Sequence, residues 1–120
     1  MLWGILAAAA FVLAAAKYAA RRMCGGKYDR LFLQIHKLAG ALLPVSALVH
    51  GALMVRRSPT AGQTASGACA ALGIFGLMAS HFFAKKLGRH AMPLHRFFTV
   101  FTGVALVAHL IRNVTVAKKF

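Results

Sequence analysis

Acidic side chains are almost absent from this 120-residue chain, which has fifteen lysines and arginines but one acid, Asp29. Proton-coupled transporters usually need a carboxylate inside a membrane span, and Asp29 lies between two apolar runs, which counts against that class. Cysteine is scarce too: Cys24 and Cys69 form no C-x-x-C-H sequence, so covalent haem attachment is not indicated, and a disulfide between them is not expected. The chain shows neither alternating strand patterns nor room for a soluble catalytic domain.

Apolar residues fill the chain instead, at 60% of the sequence. Four apolar runs approach or exceed the roughly 20 residues that cross a bilayer, at about residues 2–20, 31–55, 65–87 and 91–111, the last with a continuation to 117. Only helices or closed barrels satisfy the backbone in lipid. The sequence therefore predicts an all-α integral membrane protein, one domain of residues 1–120 in which four transmembrane helices form an up-down bundle.

Local signals refine this prediction. The first run lacks a basic segment before it, so we expect a retained helix rather than a signal peptide. Pro93 is expected in the first turn of the fourth helix, where a missing N–H costs little. Pro44 falls inside the second helix, where we expect it to bend the helix axis.

The basic residues lie at the ends of the apolar runs, which is typical of membrane proteins and disfavours nucleic acid as a partner. Ten belong to the first and third connections and their borders, against five on the opposite face: Lys17, Arg21, Arg22, Lys27, Arg30, Lys37, Lys85, Lys86, Arg89 and Arg96 against Arg56, Arg57, Arg112, Lys118 and Lys119. The positive-inside rule then predicts cytoplasmic first and third connections, with both termini outside. We expect the membrane to be a bacterial inner (plasma) membrane.

Two segments carry the same pair of histidines. His36 and His50 enclose thirteen residues in the second run, and His95 and His109 enclose thirteen in the fourth. Fourteen helical steps rise about 21 Å and turn within about 40° of whole turns, so each pair shares one helix face. In an up-down bundle these two helices are parallel. The sequence predicts that His36 meets His95 at the cytoplasmic level and His50 meets His109 at the outer level.

Facing imidazoles favour haem over a bare metal ion. Haem iron needs two axial ligands, because the macrocycle supplies four, whereas zinc usually takes three or four protein ligands at one level. Small residues on the histidine faces, among them Gly40 and Gly103, would let a flat macrocycle lie close to the backbone, although small residues also serve ordinary helix packing in lipid. The prediction is two bis-histidine haem b groups.

Cations near the helix ends are candidate partners for the haem propionates. Lys37 and Arg96 adjoin the inner histidine pair, and Arg56 and Arg112 lie beyond the outer pair, with Arg112 preferred. The alternative for each is a charge that snorkels to the membrane surface. His81 has several candidate roles: a propionate hydrogen bond, replacement of a predicted ligand, a quinone pocket, or a plain interfacial histidine.

Two segments resemble a known family. The segments are "IHKLAGALLPVSALVHGAL" and "LHRFFTVFTGVALVAHLI". They resemble the two haem helices of the ferric reductase and NADPH oxidase transmembrane family. They also resemble the di-haem b-type cytochromes of quinol-oxidising complexes, in which two parallel helices each carry two histidines. The resemblance covers about residues 31–112. It implies axial pairs His36–His95 and His50–His109, and electron transfer between a cytoplasmic and an outer haem.

The chain departs from that family in size. The larger members have six or more spans, and the reductases carry a flavin and nicotinamide domain. We therefore expect an electron-transfer subunit of an oxidoreductase complex rather than a self-contained enzyme, served by a flavin or iron–sulfur partner subunit or by a quinone. The competing hypotheses are a small transporter, a copper- or zinc-handling membrane protein, and an anchor that tethers a soluble enzyme.

Overall fold

The computed structural model describes residues 1–57 and 59–119, which form four long helices and no strand in that part of the chain. The long helices are α1 (Leu2–Cys24), α2 (Asp29–Val55), α3 (Ala61–Phe82) and α5 (Ala91–Ala117). Between the last two lie a one-turn helix, α4 (Ala84–Leu87), and a 3-10 turn, Gly88–His90. The four long segments are long and apolar enough to span a membrane, so the predicted all-α, four-helix membrane class is confirmed.

The first connection is shorter than predicted. α1 continues past residue 20 to Cys24, and Gly25 ends it with a left-handed φ of 57°. Asp29 opens α2 rather than lying in a loop. Both extensions suit the helix dipole, since Arg21 and Arg22 fall in the last turn of α1 and Asp29 falls in the first turn of α2. Only four residues, 25–28, connect the two helices.

The third helix lies several residues earlier than predicted. Thr60 and Gln63 form a capping box, in which the Gln63 N–H donates to Thr60 Oγ1 at 3.3 Å and the Thr60 N–H donates to Gln63 Oε1 at 3.0 Å. α3 therefore begins at Ala61 instead of residue 65, and it ends at Phe82 instead of residue 87. The apolar composition continues to Leu87 and so did not mark that end.

The two prolines lie where the sequence places them. Pro44 lies inside an unbroken α2, and Pro93 lies in the first turn of α5. The predicted bend at Pro44 stays a prediction. The basic turn that was expected before the fourth helix is formed by α4 and residues 88–90, where Gly88 has a φ of 54°.

The chain divides into two compact units, Met1–Leu53 and the chain from Met54 onward. The single four-helix domain remains a prediction. In each unit two long helices run antiparallel, because contacts join the start of one helix to the end of the next: His50 to Gly4 in the first unit and Ser66 to His109 in the second. Each unit is thus a helical hairpin.

Most buried positions hold small side chains, while most of the large apolar side chains are exposed. The buried apolar residues are Ala7, Ala10, Ala39, Leu43, Ala70 and Ile74. Leucine, valine and phenylalanine side chains of all four long helices are largely exposed. Large apolar residues outside and small ones inside are what helix packing in lipid requires, which agrees with an integral membrane protein.

Candidate functional site

The structure separates the six histidines into two groups. The four predicted ligands, His36, His50, His95 and His109, are half-buried. His81 and His90 are exposed. The four half-buried histidines belong to α2 and α5, so each hairpin has one helix with two histidines and one helix, α1 or α3, that packs behind it.

His36 has its ring orientation set by the backbone of α1. Its Nδ1 atom lies 2.8 Å from the carbonyl oxygen of Ala14. A carbonyl can only accept, so Nδ1 carries the proton and donates it. In the neutral imidazole the lone pair then belongs to Nε2, the other ring nitrogen.

His95 and His109 have their ring orientation set by two serines of α3. Ser80 Oγ lies 2.9 Å from His95 Nδ1, and Ser66 Oγ lies 2.9 Å from His109 Nδ1. Each hydroxyl has one proton and also lies within hydrogen-bond distance of a carbonyl of its own helix: Ser80 Oγ is 2.8 Å from the Leu77 oxygen, and Ser66 Oγ is 3.1 Å from the Gln63 oxygen. When the hydroxyl proton goes to that carbonyl, the serine oxygen accepts from Nδ1–H, and the lone pair then lies on Nε2, as in His36.

His50 lies against the backbone of α1 at Gly4. A Cβ atom on Gly4 would lie 3.0 Å from Cε1 and 3.2 Å from Nδ1 of the His50 ring, which is closer than side chains normally pack. Gly67 of α3 has a milder relation to His109, whose Cε1 would lie 3.4 Å from an added Cβ. Glycine on the packing helix thus gives the imidazole room beside the main chain.

The α3–α5 hairpin keeps one antiparallel register along its length. Ser66 meets His109, Gly73 meets Thr102, and Ser80 meets His95, in steps of seven residues on each helix. Ser80 and Thr102 are 2% and 0% exposed. A Cβ on Gly73 would lie 3.1 Å from the Cα of Thr102, so the two backbones approach closely midway between the two serine–histidine contacts.

Sequence reasoning missed Ser66 and Ser80. A signal was present, because these serines are fourteen residues apart, which is the spacing of the histidines they contact. Gly4 and the carbonyl of Ala14 left no comparable signal. A glycine in an alanine-rich helix is unremarkable, and a main-chain acceptor does not depend on the side chain.

The other predicted site residues are less defined. Lys37, Arg96 and Arg56 are exposed, and Gly103 is half-buried. Gly40 is exposed, and no heavy atom of the described chain lies within 4 Å of where its Cβ would be.

Arg112 and His81 have defined neighbours. The Arg112 guanidinium lies over Gly62 of α3, which belongs to the same hairpin. The His81 ring packs edge-on against Phe82, with ring centroids 5.7 Å apart. The propionate contacts and the alternative roles of His81 stay predictions.

Neither cysteine forms a disulfide, and both Cys24 and Cys69 are exposed. Among residues 1–57 and 59–119, no three His, Cys, Asp or Glu side chains come together in a group that could hold a bare metal ion. Haem does not need such a group, since it takes at most two axial ligands from the protein.

No model of a known protein family, no curated protein and no solved structure matches this chain. The case for a function therefore depends on the residues and contacts described above.

Proposed function

We propose that this chain is a haem b-binding membrane subunit that transfers electrons across the bilayer. The observation that carries the proposal is the orientation of the imidazoles. In His36 the Ala14 carbonyl accepts the Nδ1 proton, which assigns the lone pair to Nε2. In His95 and His109 a serine oxygen lies 2.9 Å from Nδ1 and would accept the same proton in a haem-ligating tautomer. Histidines that ligate metals typically donate their second ring N–H to such an acceptor, which sets the tautomer and makes the ligand more basic.

The residues fit haem better than a bare ion. Histidine nitrogen is a good ligand for haem iron, and the four candidates lie half-buried on apolar helices. Haem bound through the Nε2 atoms would supply a one-electron iron couple within the membrane. Ser66, Ser80 and the Ala14 carbonyl would hold the imidazoles in the ligating orientation.

Several parts of the proposal come from the sequence alone. These are the axial pairs His36–His95 and His50–His109, the count of two haem b groups, and the propionate partners Lys37, Arg96, Arg56 and Arg112. A flavin or iron–sulfur subunit, or a quinone, would donate or accept the electrons. A bacterial inner membrane with both termini outside is the proposed location.

The direct test is the haem content of the purified chain. After expression with ample haem we expect a reduced b-type absorption spectrum and about two haems per chain. His36→Ala, His50→Ala, His95→Ala and His109→Ala should each remove about one haem. His90→Ala is the matched control, because His90 is exposed in the turn before α5, and it should leave the spectrum unchanged.

Other outcomes of this test favour the competing hypotheses. A colourless protein would overturn the haem proposal, and copper or zinc found by elemental analysis would favour metal handling. Proton-dependent uptake that is lost on changing Asp29 would favour a transporter. Loss of haem in His81→Ala, with retention in one of the four variants above, would move that ligand role to His81.

A further inference from the structure

Two adjoining cavities lie in the α3–α5 hairpin, and Arg112 lines both. The smaller, of about 190 Å³, lies where α3 begins and α5 ends. The larger, of about 360 Å³, follows the groove between the two helices. Residues 60–63 and 112–119 border the small cavity, which therefore lies at the end of the hairpin. The larger groove follows the membrane-spanning part of the hairpin.

The smaller cavity is lined mainly by polar and positively charged residues. It is lined by Thr60, Gln63, Arg112, Thr115, Val116 and Lys119. The two threonine hydroxyls donate within their own helices, Thr60 to Gln63 Oε1 and Thr115 to the Ile111 carbonyl. Arg112 and Lys119 therefore supply the charged donors. The sequence from 54 to 120 contains no acidic residue, so no acidic side chain of this hairpin pairs with Arg112 or Lys119, and an anionic ligand would complement them.

The groove beside it is mostly apolar. Its lining includes Ala65 and Cys69 of α3, and Phe101, Val104, Ala105 and Ala108 of α5. Alanine at three of these positions leaves a channel along the outside of the helix pair. A channel of this composition suits a hydrocarbon chain, and it opens at Arg112, which it shares with the polar cavity.

We propose that this hairpin binds one anionic phospholipid, with the phosphate between Arg112 and Lys119 and an acyl chain in the groove. Arginine binds phosphate in a bidentate manner, and basic pockets between membrane helices bind anionic lipid headgroups. Gly62 is part of the site, because the Arg112 guanidinium lies where a Gly62 side chain would be. A zwitterionic lipid brings its own cation and complements the pocket less well.

This role for Arg112 does not depend on haem. The Arg112 guanidinium lies against Gly62 of α3. His109 faces the same helix, because its Nδ1 atom lies within hydrogen-bond distance of Ser66. These contacts place Arg112 at the lipid site whether or not it also meets the propionate predicted from the sequence.

The test compares phosphatidylglycerol with phosphatidylcholine on the full chain in detergent. Bound lipid is counted by native mass spectrometry, and competition gives relative affinities. Arg112→Gln combined with Lys119→Gln should weaken phosphatidylglycerol binding about 30-fold, because each of the two cations near a lipid headgroup contributes on the order of 1 kcal/mol. Lys85→Gln combined with Arg89→Gln removes the same charge at the α3–α5 turn and is the control.

A groove variant tests the acyl chain separately. Ala105→Leu fills the channel without changing charge, and it should also weaken phosphatidylglycerol binding. Inorganic phosphate should not displace the lipid, since it cannot occupy the groove. The proposal is overturned if the two charge-loss variants weaken binding equally, or if phosphatidylcholine binds as tightly as phosphatidylglycerol. Haem content is recorded in the same samples, so failure here is distinguishable from failure of the haem proposal.

Discussion

Ser80 Oγ lies within hydrogen-bond distance of both His95 Nδ1, at 2.9 Å, and the Leu77 carbonyl oxygen of its own helix, at 2.8 Å. The hydroxyl therefore connects the histidine of one helix to the backbone of the other. Ser66 and His109 repeat the relationship fourteen residues away on each helix. These two contacts explain how a pair of lipid-compatible helices can hold imidazole rings in a defined orientation.

Removing the serine acceptors should change haem affinity and potential. In Ser80→Ala the Nδ1–H of His95 loses its acceptor, so the imidazole becomes a poorer donor to iron, and we expect haem affinity to fall about 10- to 100-fold. The midpoint potential of one haem should rise, by up to about 40 mV if one hydrogen bond of about 1 kcal/mol acts on the oxidised state alone. Redox titration followed by absorbance measures both effects.

Ser46→Ala is the control for that experiment. Ser46 is buried in α2, and its hydroxyl lies within hydrogen-bond distance of the carbonyls of Leu42 and Leu43. Its loss should therefore leave the haem midpoint potentials unchanged. Ser80→Thr retains an acceptor and should restore part of the affinity. Equal potentials in Ser80→Ala and the unaltered chain would contradict a role for this contact.

Gly4 should tolerate no branched side chain if His50 is a ligand. In Gly4→Val the new side chain would displace the His50 ring, which already lies 3.0 Å from the position of a Cβ. We expect loss of about one haem per chain and retention of the other, measured from the absorption spectrum. Ala9→Val is the comparison, because Ala9 is an exposed residue of the same helix. Equal haem content in both variants would count against His50 as a ligand.

Gly73 is expected to limit how closely α3 and α5 pack. In Gly73→Ala the added methyl would meet Phe101 Cδ1 at 3.0 Å and the Thr102 backbone at 3.1 Å. Overpacking of this kind costs about 1–3 kcal/mol, which outweighs the roughly 1 kcal/mol that alanine contributes to a helix over glycine. Unfolding of the haem-free chain in mixed micelles should show a lower free energy of unfolding.

Gly51→Ala gives the opposite expectation in the same measurement. No heavy atom of the described residues lies within 4 Å of a Cβ at Gly51, so this variant should be as stable as the original chain or up to about 1 kcal/mol more stable. If Gly73→Ala is as stable as Gly51→Ala, then α3 and α5 move apart to accept the methyl group with little loss in the free energy of unfolding.

Cys24 offers a test of membrane orientation. It is exposed at the end of α1, and the charge distribution predicts that this end is cytoplasmic. In a Cys69→Ser background, a membrane-impermeant maleimide should label Cys24 in inverted vesicles and not in intact spheroplasts. Labelling in spheroplasts alone would reverse the predicted orientation and place both termini inside.

The sequence was informative where hydropathy or spacing alone decides the structure. Four apolar runs predicted four helices, and the histidine spacing selected the four half-buried imidazoles over exposed His81 and His90. Helix ends were predicted less well, because they depend on local capping: Gly25 ends α1 four residues late, and the Thr60–Gln63 box starts α3 four residues early.

Contacts between helices were the part of the site that the sequence predicted least well. The Ala14 carbonyl that accepts from His36 could not be predicted, because any residue at that position offers the same acceptor. Ser66 and Ser80 resemble ordinary small packing residues until the register of α3 against α5 is known. The position of Arg112 over Gly62 depends on the same register.

The histidines differ in how readily a substitution can change their hydrogen-bond partners. A codon change can erase or replace Ser66 or Ser80, so the properties of His95 and His109 can be varied through these neighbours. His36 is restrained by the Ala14 main chain, which no substitution at Ala14 other than one that breaks the helix would remove. Natural variants should therefore diversify the surroundings of His95 and His109, while the hydrogen-bond acceptor of His36 stays nearly constant.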